Sequence, residues 1–140
     1  MRGSGVSHPD IGAVYLATVI SIDQGGQLQP LSMLEISRSD TIHIITGWNP
    51  GDARPGDEAN TEADRRLHAV LVSEGCVPVR AIGSDPASDH AELSWAVTGL
   101  SDSRACAIGA DFGQVAIFRV SDGHQTVIAC SGEWELSRPF

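Results

Sequence analysis

Thr41-Ile42-His43-Ile44-Ile45-Thr46-Gly47-Trp48-Asn49-Pro50 is the stretch on which the reading of this chain turns. Its first half is rich in β-branched residues, which suit a buried strand. Its second half stops that strand: between Gly47 and Gly56, two prolines and three glycines exclude both helix and strand interior. A helix follows at once. Ala59, Ala63, Leu67, Val70 and Leu71 recur at helical spacing, while Glu62, Asp64, Arg65 and Arg66 take the other faces. Asp57 is the expected N-cap, and Gly75 is placed to end the run. A strand that opens into an irregular polar loop and then a helix N-terminus is a geometry that binds ligands in α/β proteins.

Outward from this stretch, the pattern predicts a short helix over residues 10–17, or a chain running straight into a strand at 18–22. A turn follows at Gln24-Gly25-Gly26-Gln27, then a strand over 31–36 and a polar break before Thr41. Beyond the helix, strands are expected at 76–82 and 92–97. A second helix runs to Ala110 with Ser101 as its N-cap and Leu100 placed to staple against Ala105. Val115–Val120 and Gln125–Cys130 form a hairpin around Ser121-Asp122-Gly123. The order β-β-β-α-β-β-α-β-β implies an α+β fold: a single mixed sheet with two main helices packed on it as an α/β sandwich.

The chain has 140 residues, a one-domain length that buries roughly 68–70% of its unfolded surface. With 41% hydrophobic and 19% charged residues, global disorder is excluded. Nine basic residues, all arginine, stand against eighteen acidic ones, a formal charge of −9. That average field repels a phosphate backbone, so nucleic acid is not an expected partner. Cys76, Cys106 and Cys130 are an odd, widely spaced set without a Cys-x-x-Cys pair, and read as free thiols in a reducing compartment. The apolar run 11–22 is too short to span a bilayer and has no cleavage site after it, so the expectation is a cytoplasmic protein with no membrane partner. Residues 1–10 are expected to be a flexible leader and 11–140 the domain.

Candidate chemistry gathers at the ends of elements. Trp48 offers a stacking face, and Asn49 and Asn60 offer paired donors and acceptors. The alternative is that Asn49-Pro50 only turns the chain and Trp48 plugs the core. His43, His68 and His124 sit on separate elements and read as surface or internally bonded histidines. Asp85, Asp89, His90 and Glu92 crowd one loop but lack a metal-ligand spacing, and solvated charge is the better reading. No nucleophile elbow, P-loop or dinucleotide fingerprint is present, and no cofactor is expected.

Ile44-Ile45-Thr46-Gly47-Trp48-Asn49-Pro50, Asn60 with Leu67 and Leu71, Glu92-Leu93-Ser94-Trp95, and Phe112-Gly113-Gln114-Val115-Ala116-Ile117-Phe118 occur in this order. Together with Tyr15 and Thr18 they resemble the bacterial domain of unknown function 3293 family over about residues 12–120. Gly47 stands where that pattern usually has Ala, and residues 125–140 match no motif. The resemblance implies a small α/β domain and carries no established activity.

If the motif residues converge, Thr46, Trp48, Asn49, Asn60, Ser94 and Gln114 would bind a small polar ligand that is nucleoside-, nucleotide- or sugar-like. Glu92 would be the one evident acid or base, which opens a hydrolase or transferase reaction. Otherwise Glu92 is a strand-edge carboxylate bonded to backbone or to an arginine such as Arg65. The rival class is an acidic, inhibitor-like interaction domain docking on a basic protein partner, with Trp48 and Trp134 as anchors. A homodimer through the C-terminal hairpin fits either reading.

Overall fold

A computed structural model describes residues 15–33, 40–50 and 54–140. Its elements are β1 (Val19–Gln24), β2 (Gln27–Pro30), a 3-10 turn (Leu31–Met33), β3 (Thr41–Ile45), α1 (Asp57–Ser73), β4 (Val79–Ser84), β5 (Ala91–Val97), α2 (Asp102–Asp111), β6 (Ala116–Ser121), β7 (His124–Ala129) and β8 (Glu135–Pro139). The strands form one curled sheet in the order β2-β1-β4-β5-β3-β6-β7-β8.

The α+β class is correct, but the sheet is antiparallel at every pairing rather than mixed. The reason lies in what each helix bridges. Helix α1 joins β3 to β4, which run the same way, and α2 likewise joins β5 to β6. In both cases a strand of opposite direction is inserted between the two: β5 in the first, β3 in the second. A strand-helix-strand order reads as a parallel pair only if nothing comes between the strands.

Other boundaries also moved. The second strand is Gln27–Pro30, and Leu31 starts the 3-10 turn instead of a strand; residues 34–36 of that expected strand, and most of the helix expected over 10–17, lie outside the described residues. Pro78 sits before β4, which begins at Val79 rather than Cys76. The tail, which matched no motif, adds β8 as an edge strand on β7. Gly56 rather than Asp57 occupies the N-cap of α1, and no side chain caps it; Asp57 and Glu58 are inside the first turn, where their charge complements the helix dipole. The predicted Ser101 cap of α2 is present, its side chain accepting from the Arg104 backbone N–H at 3.1 Å.

Both faces of the sheet are buried, by different means. One face packs on the helices through Ile45, Val97, Ile117 and Ile128 against Leu67, Leu71, Ala105 and Ile108. The other face gathers Ile20, Ile22, Ile44, Ala81, Ala96 and Val120 with Leu31 of the 3-10 turn, so the curl itself covers them. The ends of the curl are tied: Gln125 Nε2 donates to Thr18 O at 2.9 Å, and Arg138 Nε donates to Leu16 O at 2.7 Å. Helix α1 is further pinned to β4 and β5. Arg80 lies 3.7 Å over the Trp95 ring and makes two 2.8 Å bonds to Asp64, whose backbone oxygen accepts from Trp95 Nε1 at 3.1 Å.

Three free cysteines are present, two of them buried. Burial, with Cys106 nearby, pushes the Cys130 thiol up to about 12, so it stays protonated and unreactive near neutral pH.

Acid stability has a located cause. Burial pushes the Asp102 carboxyl up, but the hydrogen bond from His43 and the charge of Arg119 outweigh it and hold the group below its ordinary value. The Arg104 hydrogen bond likewise holds Glu74 down. A depressed carboxyl contributes stability that is full above the unfolded value, about 3.9 for Asp, and is lost as pH falls through the folded one. Urea midpoints should therefore fall below about pH 4, and Asp102→Asn should flatten that fall. Parallel curves for the two proteins would refute the assignment.

Candidate functional site

Strand β3 ends at Ile45 because Thr46 turns its side chain back onto the sheet. Its Oγ1 donates to Leu93 O at 2.8 Å and accepts from the Trp48 backbone N–H at 3.0 Å. Asn49 then adopts a left-handed backbone, φ 47°, which asparagine tolerates better than most residues. In that conformation its backbone N–H donates to Asn60 Oδ1 at 3.0 Å, and its Oδ1 accepts from Asn60 Nδ2 at 2.9 Å. Asn60 is buried in the first turns of α1, so the pair locks the loop to the helix. The free end of the Asn49 amide donates to Glu92 Oε2 at 3.0 Å.

A second latch comes from α2. Gly113 and Gln114 close that helix with backbone bonds to Ala110 O and Gly109 O at 2.9 and 3.0 Å, the paired arrangement of a Schellman cap. The cap aims Gln114 back at the loop, where Nε2 donates to Trp48 O at 3.1 Å. Pro50 packs directly on Gly113, so close that a Cβ there would lie 2.7 Å from the proline Cβ.

Thr46, Trp48, Asn49, Asn60, Glu92 and Gln114 therefore come together, drawn from a loop, a helix start, a strand start and a helix end. Ser94 is adjacent in sequence only: it is buried, and its hydroxyl bonds back to Glu92 O at 3.4 Å. Most of the convergent polar groups are partnered by one another. What faces outward is the rim. Glu92 is 27% exposed, and its Oε2 is shared with His90 Nε2 at 2.9 Å, while Oε1 has no hydrogen bond among the described residues. Arg54 NH1 sits 3.3 Å from His90 Nδ1. Because a guanidinium only donates, Nδ1 is the acceptor and Nε2–H is the donor to Glu92. Trp48 is half-buried, and its buried indole N–H has no partner among the described residues.

His90 and Arg54 were missed as members of this site. His90 is two residues from Glu92, a spacing that puts both side chains on one side of a strand start. Arg54 lies in the Pro/Gly loop and carries no sequence signal. Arg65, a suggested partner for Glu92, pairs with Glu62 instead. Asp85 bonds within its own turn, to Ala87 N and Ser88 Oγ. Among the described residues, no group of three His, Cys, Asp or Glu side chains could hold a metal ion, and no helix is long and apolar enough to cross a membrane.

A family model described as protein of unknown function (DUF3293) matches residues 45–117, just over half of the chain. All seven residues singled out in the sequence fall within that span. No curated protein and no solved structure matches.

Proposed function

The chain belongs to the DUF3293 family of unknown function, and from that premise we propose that it binds a small polar, nucleoside- or sugar-like molecule at the rim of the Asn49–Glu92 clasp. The observation that carries this reading is the Glu92 carboxylate, held by Asn49 and His90 through one oxygen and, among the described residues, open through the other. A carboxylate fixed on one side and free on the other is preorganised to accept a hydrogen bond, or a proton, from a ligand hydroxyl or amine. Thr46, Asn49, Asn60 and Gln114 serve in this reading as positioning residues: their hydrogen bonds hold the loop and the carboxylate in place. Trp48, half-buried beside them, supplies a flat apolar wall and an unpartnered N–H, features that favour a ligand over an open docking aromatic.

A thermal-shift screen of nucleosides, nucleotides and sugars tests the reading. A ligand at 100 times its dissociation constant stabilises by about 2.7 kcal/mol, roughly 5–10 °C for a domain of this size. The shift should appear in the wild type and vanish in Glu92→Gln, which keeps the shape and removes the charge. Equal shifts in both proteins, or none in either, would sink the assignment.

A further inference from the structure

Three neighbouring strands change character at the same level on the helix-bearing face. Ile45 gives way to His43 and Thr41 along β3, Ile117 to Arg119 and Ser121 along β6, and Ile128 to Thr126 and His124 along β7. The register places these residues side by side: His43 opposite Arg119, Arg119 opposite Thr126, and Thr126 opposite Ser137 of β8. The apolar level lies under the helices. The polar level lies beyond the start of α2 and lines a cleft of about 590 Å³ together with Ser101 and Asp102. That volume falls within the range of small-molecule sites, roughly 300–1,000 Å³.

This is not ordinary wetted surface. His43 is 1% exposed and Thr126 is 3% exposed. His43 Nε2 lies 2.7 Å from Asp102 Oδ1, yet its buried Nδ1 has no partner among the described residues. A buried polar atom left unpaired is destabilising, and an apolar residue at that place would have avoided it. Asp102 Oδ2 accepts from Arg119 NH1 at 2.5 Å, and Arg119 NH2 reaches Glu135 at 3.3 Å.

Charge selects the ligand class. An anion entering the cleft meets the half-exposed Asp102, and Arg119 is already neutralised by its ion pairs with Asp102 and Glu135. A cation meets Arg119, which lies between them. A neutral molecule bearing several hydroxyls can donate to Asp102 and accept from the guanidinium. It can also exchange bonds with Thr41 and Ser121, whose hydroxyls are 3.5 Å apart. We propose that the cleft between β3, β6, β7 and the start of α2 is a second site, separate from the clasp, for a neutral polyhydroxylated molecule, a monosaccharide or a polyol. Asp102 and Arg119 take adjacent hydroxyls over a floor that includes His43. His43 and Arg119 lie outside the span matched by the family, whereas Ser101 and Asp102 lie within it.

Amide NMR titration of the whole chain tests it, with glucose, ribose, inositol and glycerol as probes and inorganic phosphate and magnesium as charged controls. At least one sugar or polyol should move the resonances of Ser101, Asp102 and Ser121 while leaving those of Asn49 and Asn60 in place; which of the four does so separates a ring sugar from a polyol. Asp102→Asn should weaken that binding about tenfold or more, the worth of one hydrogen bond to a charged group. Thr41→Val, which keeps the strand and the shape, should weaken it less, and Glu92→Gln should leave it unchanged. Silence from every neutral probe, or cleft shifts caused by phosphate or magnesium alone, overturns the proposal. Because the clasp resonances and Glu92→Gln are read separately, the two sites stand or fall independently.

Discussion

Gly113→Ala should destabilise the protein by about 3 kcal/mol, out of proportion to a single methyl group. Two effects add. Gly113 has φ 74°, where an L-residue with a Cβ costs roughly 1–2 kcal/mol. The new methyl would also sit 2.7 Å from Pro50 Cβ, and overpacking of that kind costs about 1–3 kcal/mol more. Gly75 provides the control. It closes α1 in the same cap position with φ 90°, but nothing lies within 4 Å of its added Cβ. Gly75→Ala should therefore show the conformational cost alone, about 1–2 kcal/mol. Urea unfolding of both variants measures the difference, which isolates the contact between the helix cap and the Trp48-Asn49-Pro50 loop. Equal losses would mean that the loop yields freely and that Gly113 does not latch it.

Asn60→Leu should cost about 2–4 kcal/mol, although leucine has the better helix propensity and a similar shape. The substitution strips partners from the Asn49 backbone N–H and from Asn49 Oδ1, and each polar group left unsatisfied in a buried place costs roughly 1–3 kcal/mol. Asn49→Gly is the informative companion. It keeps access to the left-handed backbone, leaves the Asn49 N–H bonded to Asn60, and removes only the side-chain bonds to Asn60 and Glu92. It should cost less, about 1–2 kcal/mol. Urea midpoints followed by tryptophan fluorescence give both values. An Asn60→Leu protein within about 0.5 kcal/mol of wild type would show that the clasp carries no weight in the fold.

Much of this was legible in the chain. The helix at Asp57–Ser73 announced itself through Leu67, Leu71 and their neighbours, because an amphipathic period needs no tertiary information. Ser101 and Gly75 marked helix ends because caps are satisfied by residues within one turn. Asp122-Gly123 marked the β6–β7 hairpin for the same reason: both residues are left-handed there, as a tight turn requires. The ordered motifs around Trp48-Asn49-Pro50, Asn60, Glu92 and Gln114 identified the residues that meet, though not what each does there. Thr46, Asn60 and Gln114 read as ligand contacts from their chemistry alone. Their donors and acceptors prove to be engaged with Leu93, Asn49 and Trp48.

Both long helices, the Ser101 and Gly75 ends, the β6–β7 turn and the family were readable along the chain, because each depends on contacts made within a few residues or on motifs whose order is visible; β2, β8 and the N-cap of α1 were not. The folded structure was needed to show that the sheet is antiparallel throughout, since the strand inserted under each helix comes from elsewhere in the chain. It alone placed His43 beside Arg119 and Asp102. Those residues are 76 and 59 positions from His43 in the chain, and none of the three carries a local signal of the others. Strand register, set by long-range pairing, is what turns three scattered polar residues into one cleft.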